Sequence, residues 1–141
     1  MISFSSIDIS MPSLNQELLK QWIEQVAAGY KCRIGTINYL FCTDEHILSV
    51  NRQFLSHDYY TDIITFDYSN NHILSGDIVI SIDTIRSNAQ LLGIEFQDEL
   101  HRVIIHGVLH LTGQGDKTAE AEKIMHQKED LALKLLSTLT R

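Results

Sequence analysis

Residues 96–116 read Phe96-Gln-Asp-Glu-Leu-His-Arg-Val-Ile-Ile-His106-Gly-Val-Leu-His110-Leu-Thr-Gly113-Gln-Gly-Asp116. Leu100, Val103, Ile104, Val108 and Leu111 recur at helical spacing, which predicts a helix over Phe96–Leu111 closed by Gly113 and Gly115. His106 and His110 stand four apart on it, so both imidazoles project from one face, one turn apart. A His pair at this spacing is by itself often a chance surface or core pair. Gly113 alters that reading, because it permits a sharp reversal of the chain that returns Asp116 toward the same point.

The full pattern, H-x-x-x-H-x-x-G-x-x-D, has the ligand spacing of the metzincin motif with Asp in place of the third His. We therefore expect His106, His110 and Asp116 to hold one divalent ion. Zinc is expected first, although a carboxylate ligand also suits harder ions such as Mn²⁺. Three protein ligands leave a fourth position for water, whose pKa at such a site falls to ~7. The Glu that serves zinc proteases as general base directly after the first His is absent, and Gly107 stands there. Peptide hydrolysis by that route is not expected.

Outward from this segment, strands mingle with helices. Residues 2–10 suggest a strand with a slip, and Ser13 is expected to cap a helix over Leu14–Ala28. Lys31–Cys42 is rich in β-formers, and Thr43 is placed to cap a helix to about Phe54. Leu55–Tyr60 reads as a loop; Thr61–Tyr68 and Ile73–Ile82 read as strands joined closely enough to pair as a hairpin. Gly76 is expected to interrupt the second strand as a bulge. A helix from Asp83 or Thr84 ends at Gly93, and Thr118 caps a last helix to about Leu139 with a stripe of Ala121, Ile124, Met125, Leu131, Leu135 and Leu136. The pattern is α+β: a small mixed sheet of about four strands covered by about five helices, with the metal site at the end of a central helix. Residues 1–141 are expected to form one domain.

The formal charge of −7 argues against a protein that coats RNA or DNA through a broad basic surface, yet leaves room for a nucleic-acid enzyme whose ion supplies the local positive charge. DNA and membranes are not expected partners. No run approaches the ~18 apolar residues of a membrane span, and the N-terminus lacks signal-peptide features, so a cytoplasmic setting is expected. Cys32 and Cys42 would lie ~33 Å apart along one strand and are read as buried free thiols.

Four collinear motifs carry a resemblance: Asn51 followed by Thr61-Asp62-Ile-Ile-Thr-Phe66; Gly76-Asp77-Ile-Val-Ile80; Glu99; and His106-Gly-Val-Leu-His110-Leu-x-Gly113. In these the chain resembles the YbeY family of bacterial endoribonucleases. The resemblance implies a metal-dependent, single-strand-specific endoribonuclease in 16S rRNA maturation and ribosome quality control, with zinc at the His motif. Single-stranded RNA and ribosomal proteins or assembly factors are the partners it implies. Two positions depart from the family pattern. Asp116 stands where the third His is usual; a one-residue shift would put Lys117 there, and lysine is a poor zinc ligand. Leu55 stands where the family carries an Arg associated with RNA.

No general base is evident in the motif, so the catalytic group is unassigned beyond the ion's water. His57, Lys117 and Arg52 are the candidates for phosphate contact or catalysis. Thr61-Asp62 divides evenly between a capped strand start and a cleft wall, as does Asp77. Glu99 reads more readily as a solvated helix residue, and His46, His72, His101 and His126 as non-functional. Two rivals stand beside the nuclease: a metal-bound ribosome- or RNA-docking factor with little cleavage, and a zinc hydrolase of another class.

Overall fold

The computed structural model describes residues 1–57 and 59–140; Asp58, inside the expected 55–60 loop, and Arg141 lie outside the described residues. In chain order the elements are β1 (Ile2–Ser6), α1 (Gln16–Gly29), β2 (Arg33–Cys42), α2 (Asp44–Leu55), β3 (Ile63–Asp67), β4 (Ile73–Ser81), α3 (Ile82–Leu92), α4 (Phe96–Leu111) and α5 (Ala119–Leu139). The α+β expectation holds. Among the described residues the sheet has four strands in the order β1-β2-β4-β3. β1, β2 and β4 run parallel, and β3 pairs antiparallel with β4 as the expected hairpin. β3 is therefore an edge strand, next to the helix that carries the histidines.

Side chains alternate across the sheet, so successive residues of β4 serve different layers. Ile78 and Ile80 join the larger core with Tyr39, Phe41, Trp22 and much of α4; Val79 turns the other way onto Cys42, Ile47 and Ile64 beneath α2. α4 is buried on most of its circumference, as a helix apolar nearly all round must be. Its interior neighbours satisfy their polar atoms: the Tyr39 hydroxyl donates to the Ile104 carbonyl at 2.9 Å, and Trp22 Nε1 to the Ala132 carbonyl at 2.7 Å. Each fully buried large apolar side chain contributes about 1.5–3 kcal/mol. The histidine face of α4 is thus held by a rigid surround.

Several boundaries differ from expectation for local reasons. β1 stops at Ser6 because Asp8 takes a left-handed φ of 59°, so Ile7 and Ile9 leave the strand. α1 is capped by Asn15, whose side chain accepts from the Leu18 N–H, rather than by Ser13. The extra residue lies in β2, between Ile34 and Ile37, and not at Gly76. Gly76 instead admits Leu111 of α4: a Cβ there would stand 3.1 Å from a Leu111 methyl and 2.5 Å from the Phe66 carbonyl oxygen. Both cysteines are free and buried, as read. No helix among the described residues is long and apolar enough to cross a membrane.

Candidate metal centre

α4 carries His106 and His110 in its last two turns and ends just before the reversal that leads to Asp116. The Gly113 N–H donates to the His110 carbonyl, and Gly113 itself sits at φ 102°, a conformation that favours glycine. The chain therefore doubles back and Asp116 faces the imidazole pair. Asp116 Oδ2 lies 3.4 Å from His106 Nε2 and 3.4 Å from His110 Nε2. Two ligands of a tetrahedral ion with bonds of about 2.0–2.1 Å stand about 3.3 Å apart. The three side chains, each half-buried, offer ligand atoms within 4.8 Å of one another and so can hold a metal ion. The rings of His106 and His110 meet edge to face, 4.5 Å between centroids, with both Nε2 atoms beside Asp116 Oδ2.

Behind His106 lies a carboxylate that the sequence reading missed. Glu129 of α5, buried, meets His106 Nδ1 at 2.5 Å through Oε2. Arg102, one turn before His106 on α4, donates to Glu129 Oε1 at 2.8 Å and to Asp130 Oδ1 at 2.6 Å. With Nδ1 engaged by a carboxylate, the imidazole presents its Nε2 lone pair forward, the outer-shell arrangement of His ligands in metal sites. Burial would lower the His106 pKa, but the hydrogen bond and charge of Glu129, helped by Asp116 and Asp62, leave it above the ordinary value. Burial likewise raises Glu129, and its bonds to His106 and Arg102 overcome that and hold it below the carboxylate norm.

The signal for Glu129 was present in α5. Its buried face is Met125, Glu129, Ala132 and Leu136, whereas Ile124 and Leu131 of the expected stripe are exposed. A carboxylate on the core side of an amphipathic helix requires a partner.

A cleft of about 390 Å³ opens over the ligands, lined by Thr61, Asp62, Ile63, Glu99, Arg102, Val103 and Glu129 as well as the triad. Thr61 and Asp62 precede β3 and reach the cleft wall. Burial raises the Asp62 pKa, against the opposing pull of His106. Glu99 corrects the expectation of a solvated residue: it is 6% exposed and its Oε1 has no hydrogen-bond partner among the described residues. Burial, then the charge of Asp62, raises its pKa.

A second hollow, lined by Ile63, Thr65, Asp67, His110, Asp116 and Lys117, continues the cleft along β3. Lys117 thus reaches the site's margin. His57 and Arg52 do not line either hollow; His57 stacks on Tyr59, centroids 5.1 Å apart, and Arg52 lies on the exposed side of α2. Asp77 accepts from Asn38 Nδ2 within the sheet, and Leu55 is exposed at the end of α2. Gly107 faces the sheet rather than the cleft: a Cβ on it would stand 2.9 Å from Ile78 Cδ1 and 3.3 Å from Ile63 Cδ1. A protease-type Glu at this position would point into the core.

The family model described as "Endoribonuclease YbeY" matches residues 2–137. The chain is 52% identical over 132 residues to "Endoribonuclease YbeY" of Bacteroides thetaiotaomicron, covering 94% of this chain and 96% of that one. It is 51% identical over 137 residues to the protein of that name from Phocaeicola vulgatus, covering 97% and 99%. Among solved structures, the solution structure of TM1509 from Thermotoga maritima superposes with a TM-score of 0.67 at 24% identity, covering 96% of this chain and 89% of that one, which is a likeness of fold. With a family match over residues 2–137, which takes in the whole sheet and all but the last residues of α5, the chain belongs to the YbeY endoribonuclease family.

Proposed function

We propose that residues 1–141 form one domain acting as a zinc-dependent, single-strand-specific endoribonuclease on rRNA precursors, in 16S rRNA maturation and ribosome quality control in the cytoplasm. The observation that carries this reading is the convergence of His106, His110 and Asp116 on one point in a cleft, in a chain of this family. A divalent ion held there supplies Lewis acidity toward a phosphoryl oxygen and acidifies water, which suits phosphodiester hydrolysis near neutral pH. The chain's own residues supply the rest. Glu129 and Arg102 fix His106 in orientation and tautomer. Asp62 and Glu99 line the cleft, burial raises the pKa of both, and they are the acids placed to exchange a proton with a departing oxygen. Lys117 at the margin is available to a neighbouring phosphate.

One observation favours a second reading, a metal-bound factor that docks on RNA or ribosomal partners with little cleavage. The cleft carries four acidic side chains against Arg102, which is committed to Glu129 and Asp130. Purified protein and its His110→Ala variant, incubated with single-stranded RNA, duplex RNA and casein, with and without chelator and with metal analysis, separate the readings. Cleavage of single-stranded RNA that is lost in the variant and with chelator supports the nuclease. Metal retention without RNA cleavage supports the docking factor, and casein cleavage a hydrolase of another class.

A further inference from the structure

Of the four acidic side chains that line the cleft, two are already committed. Glu129 gives Oε1 to Arg102 and Oε2 to His106, and Asp116 Oδ2 faces the imidazole pair. Asp62 and Glu99 remain, one from the residue before β3 and the other from the first turn of α4, and both line the hollow that Lys117 does not reach.

Glu99 is the anomaly. It is 6% exposed, it lines the cleft, and its buried Oε1 has no hydrogen-bond partner among the described residues. A buried acceptor left bare is costly, the more so when charged. Asn88 of α3 hydrogen-bonds to the carboxyl group, whereas Arg102, one turn along the same helix, donates to Glu129 and Asp130 instead. Among its charged neighbours Asp62 acts on Glu99 most strongly, ahead of Arg102 and Glu129, and acts unfavourably, which sets the two carboxyl groups close together. Asp62 is held in place by the chain: its carbonyl accepts from the Ser81 N–H at 2.9 Å, and its carboxylate accepts from its own N–H and that of Ile63. A carboxylate has about four acceptor positions, so two backbone donors do not exhaust it.

The charge of the cleft points the same way. With every acid ionised, four carboxylates against one guanidinium leave three excess negative charges, and a divalent ion on the triad cancels two of them. A phosphodiester would then enter a cleft of its own sign. Two carboxylates are too few for zinc, which takes three or four protein ligands; they suit an ion that keeps most of its water and completes its shell with a phosphate oxygen.

We propose that Asp62 and Glu99 form a second divalent-cation site in the same cleft as the triad, for a hard, oxygen-seeking ion of the Mg²⁺ or Mn²⁺ class. The binding stands on these two residues alone. What the ion does there, neutralising a phosphate and bringing its bound water to the departing oxygen on behalf of the two acids, rests on the ribonuclease reading.

The test uses the full chain loaded with one equivalent of zinc, without RNA, in about 0.15 M salt to suppress diffuse ion binding. Mn²⁺ is the probe, and its free concentration is read by electron paramagnetic resonance. The native chain is expected to bind one Mn²⁺ beyond its zinc in the range of about 0.1–1 mM, displaceable by Mg²⁺ and without release of zinc. Glu99→Gln and Asp62→Asn keep shape and remove charge, and each is expected to weaken that site at least about tenfold with zinc content unchanged. Glu17→Gln, exposed on α1, should stay within about twofold of native. A chain that takes up no zinc is titrated in the same way, since neither residue belongs to the triad. Thermal melts in chelator identify a variant that fails to fold, and the other then carries the comparison. Absence of a further ion at millimolar Mn²⁺ overturns the site. So does binding that survives both substitutions, an adventitious ion only, or Mn²⁺ that enters only by driving zinc out. RNA cleavage is scored apart: if single-stranded RNA is cut and no further ion binds, the second site alone fails; if the ion binds as described and no RNA is cut, the site stands and the ribonuclease reading fails.

Discussion

Glu129 Oε2 stands 2.5 Å from His106 Nδ1, so a residue of the final helix orients a candidate metal ligand of the preceding one. Removing the carboxylate frees the ring to rotate and to change tautomer. Glu129→Ala is expected to lower zinc affinity about 10- to 100-fold, with Glu129→Gln less affected because an acceptor oxygen remains. Competition against a chromophoric chelator measures this directly. Unaltered affinity in both variants would show that the contact does not serve the ion.

Asp116 occupies the third-ligand position of the metzincin spacing, and its place beside both Nε2 atoms makes it exchangeable for another ligand type. Asp116→His is expected to retain the ion, whereas Asp116→Ala should lose more than the roughly 100-fold typical of an outer-shell change. Metal content after gel filtration distinguishes them. Retention by the Ala variant at native affinity would remove Asp116 from the ligand set.

Gly107 presses α4 against Ile78 and Ile63. Gly107→Ala gains about 1 kcal/mol of helix propensity but must displace those methyl groups at a cost of about 1–3 kcal/mol, so a small net loss is expected in urea melts. Gly107→Glu, which restores the protease sequence, is expected to fail to fold rather than to gain proteolysis. Soluble, folded Gly107→Glu protein with native stability would contradict the packing described.

Glu99 makes a pH prediction. Its folded pKa is raised, by burial first and then by Asp62, so the protonated form is the one the fold tolerates. Its stabilising contribution is complete below the ordinary glutamate range and is lost as pH rises through the elevated folded value. Glu99→Gln stays neutral throughout. In chelator, the variant should match the native chain at about pH 4 and exceed it by about 1 kcal/mol once the native carboxyl has ionised, a figure reduced for partial solvent screening. A stability difference that does not grow with pH would refute this.

Much of this architecture was legible in the sequence because local signals and tertiary demands agree. Thr43 and Thr118 cap their helices as their positions suggested, Gly93 terminates α3, and the hairpin of β3 and β4 forms where the connection is short. The clustering of His106, His110 and Asp116 was legible for the same reason, since one helical turn and one glycine bring all three together. What escaped was set by contacts distant in sequence. Glu129 lies 23 residues from His106, and no periodicity marks that pairing. Glu99 looks like an ordinary first-turn acid until neighbouring elements cover it. The irregularity in β2 depends on its register with β4, which neither strand specifies alone.

The bond between α4 and α5 also orders events in time. During synthesis the two imidazoles emerge before the acid that steadies them, and until the later helix is laid down an ion would be gripped loosely. The firmness of that grip is therefore tied to the docking of α5, and any force that peels the helix away would loosen it.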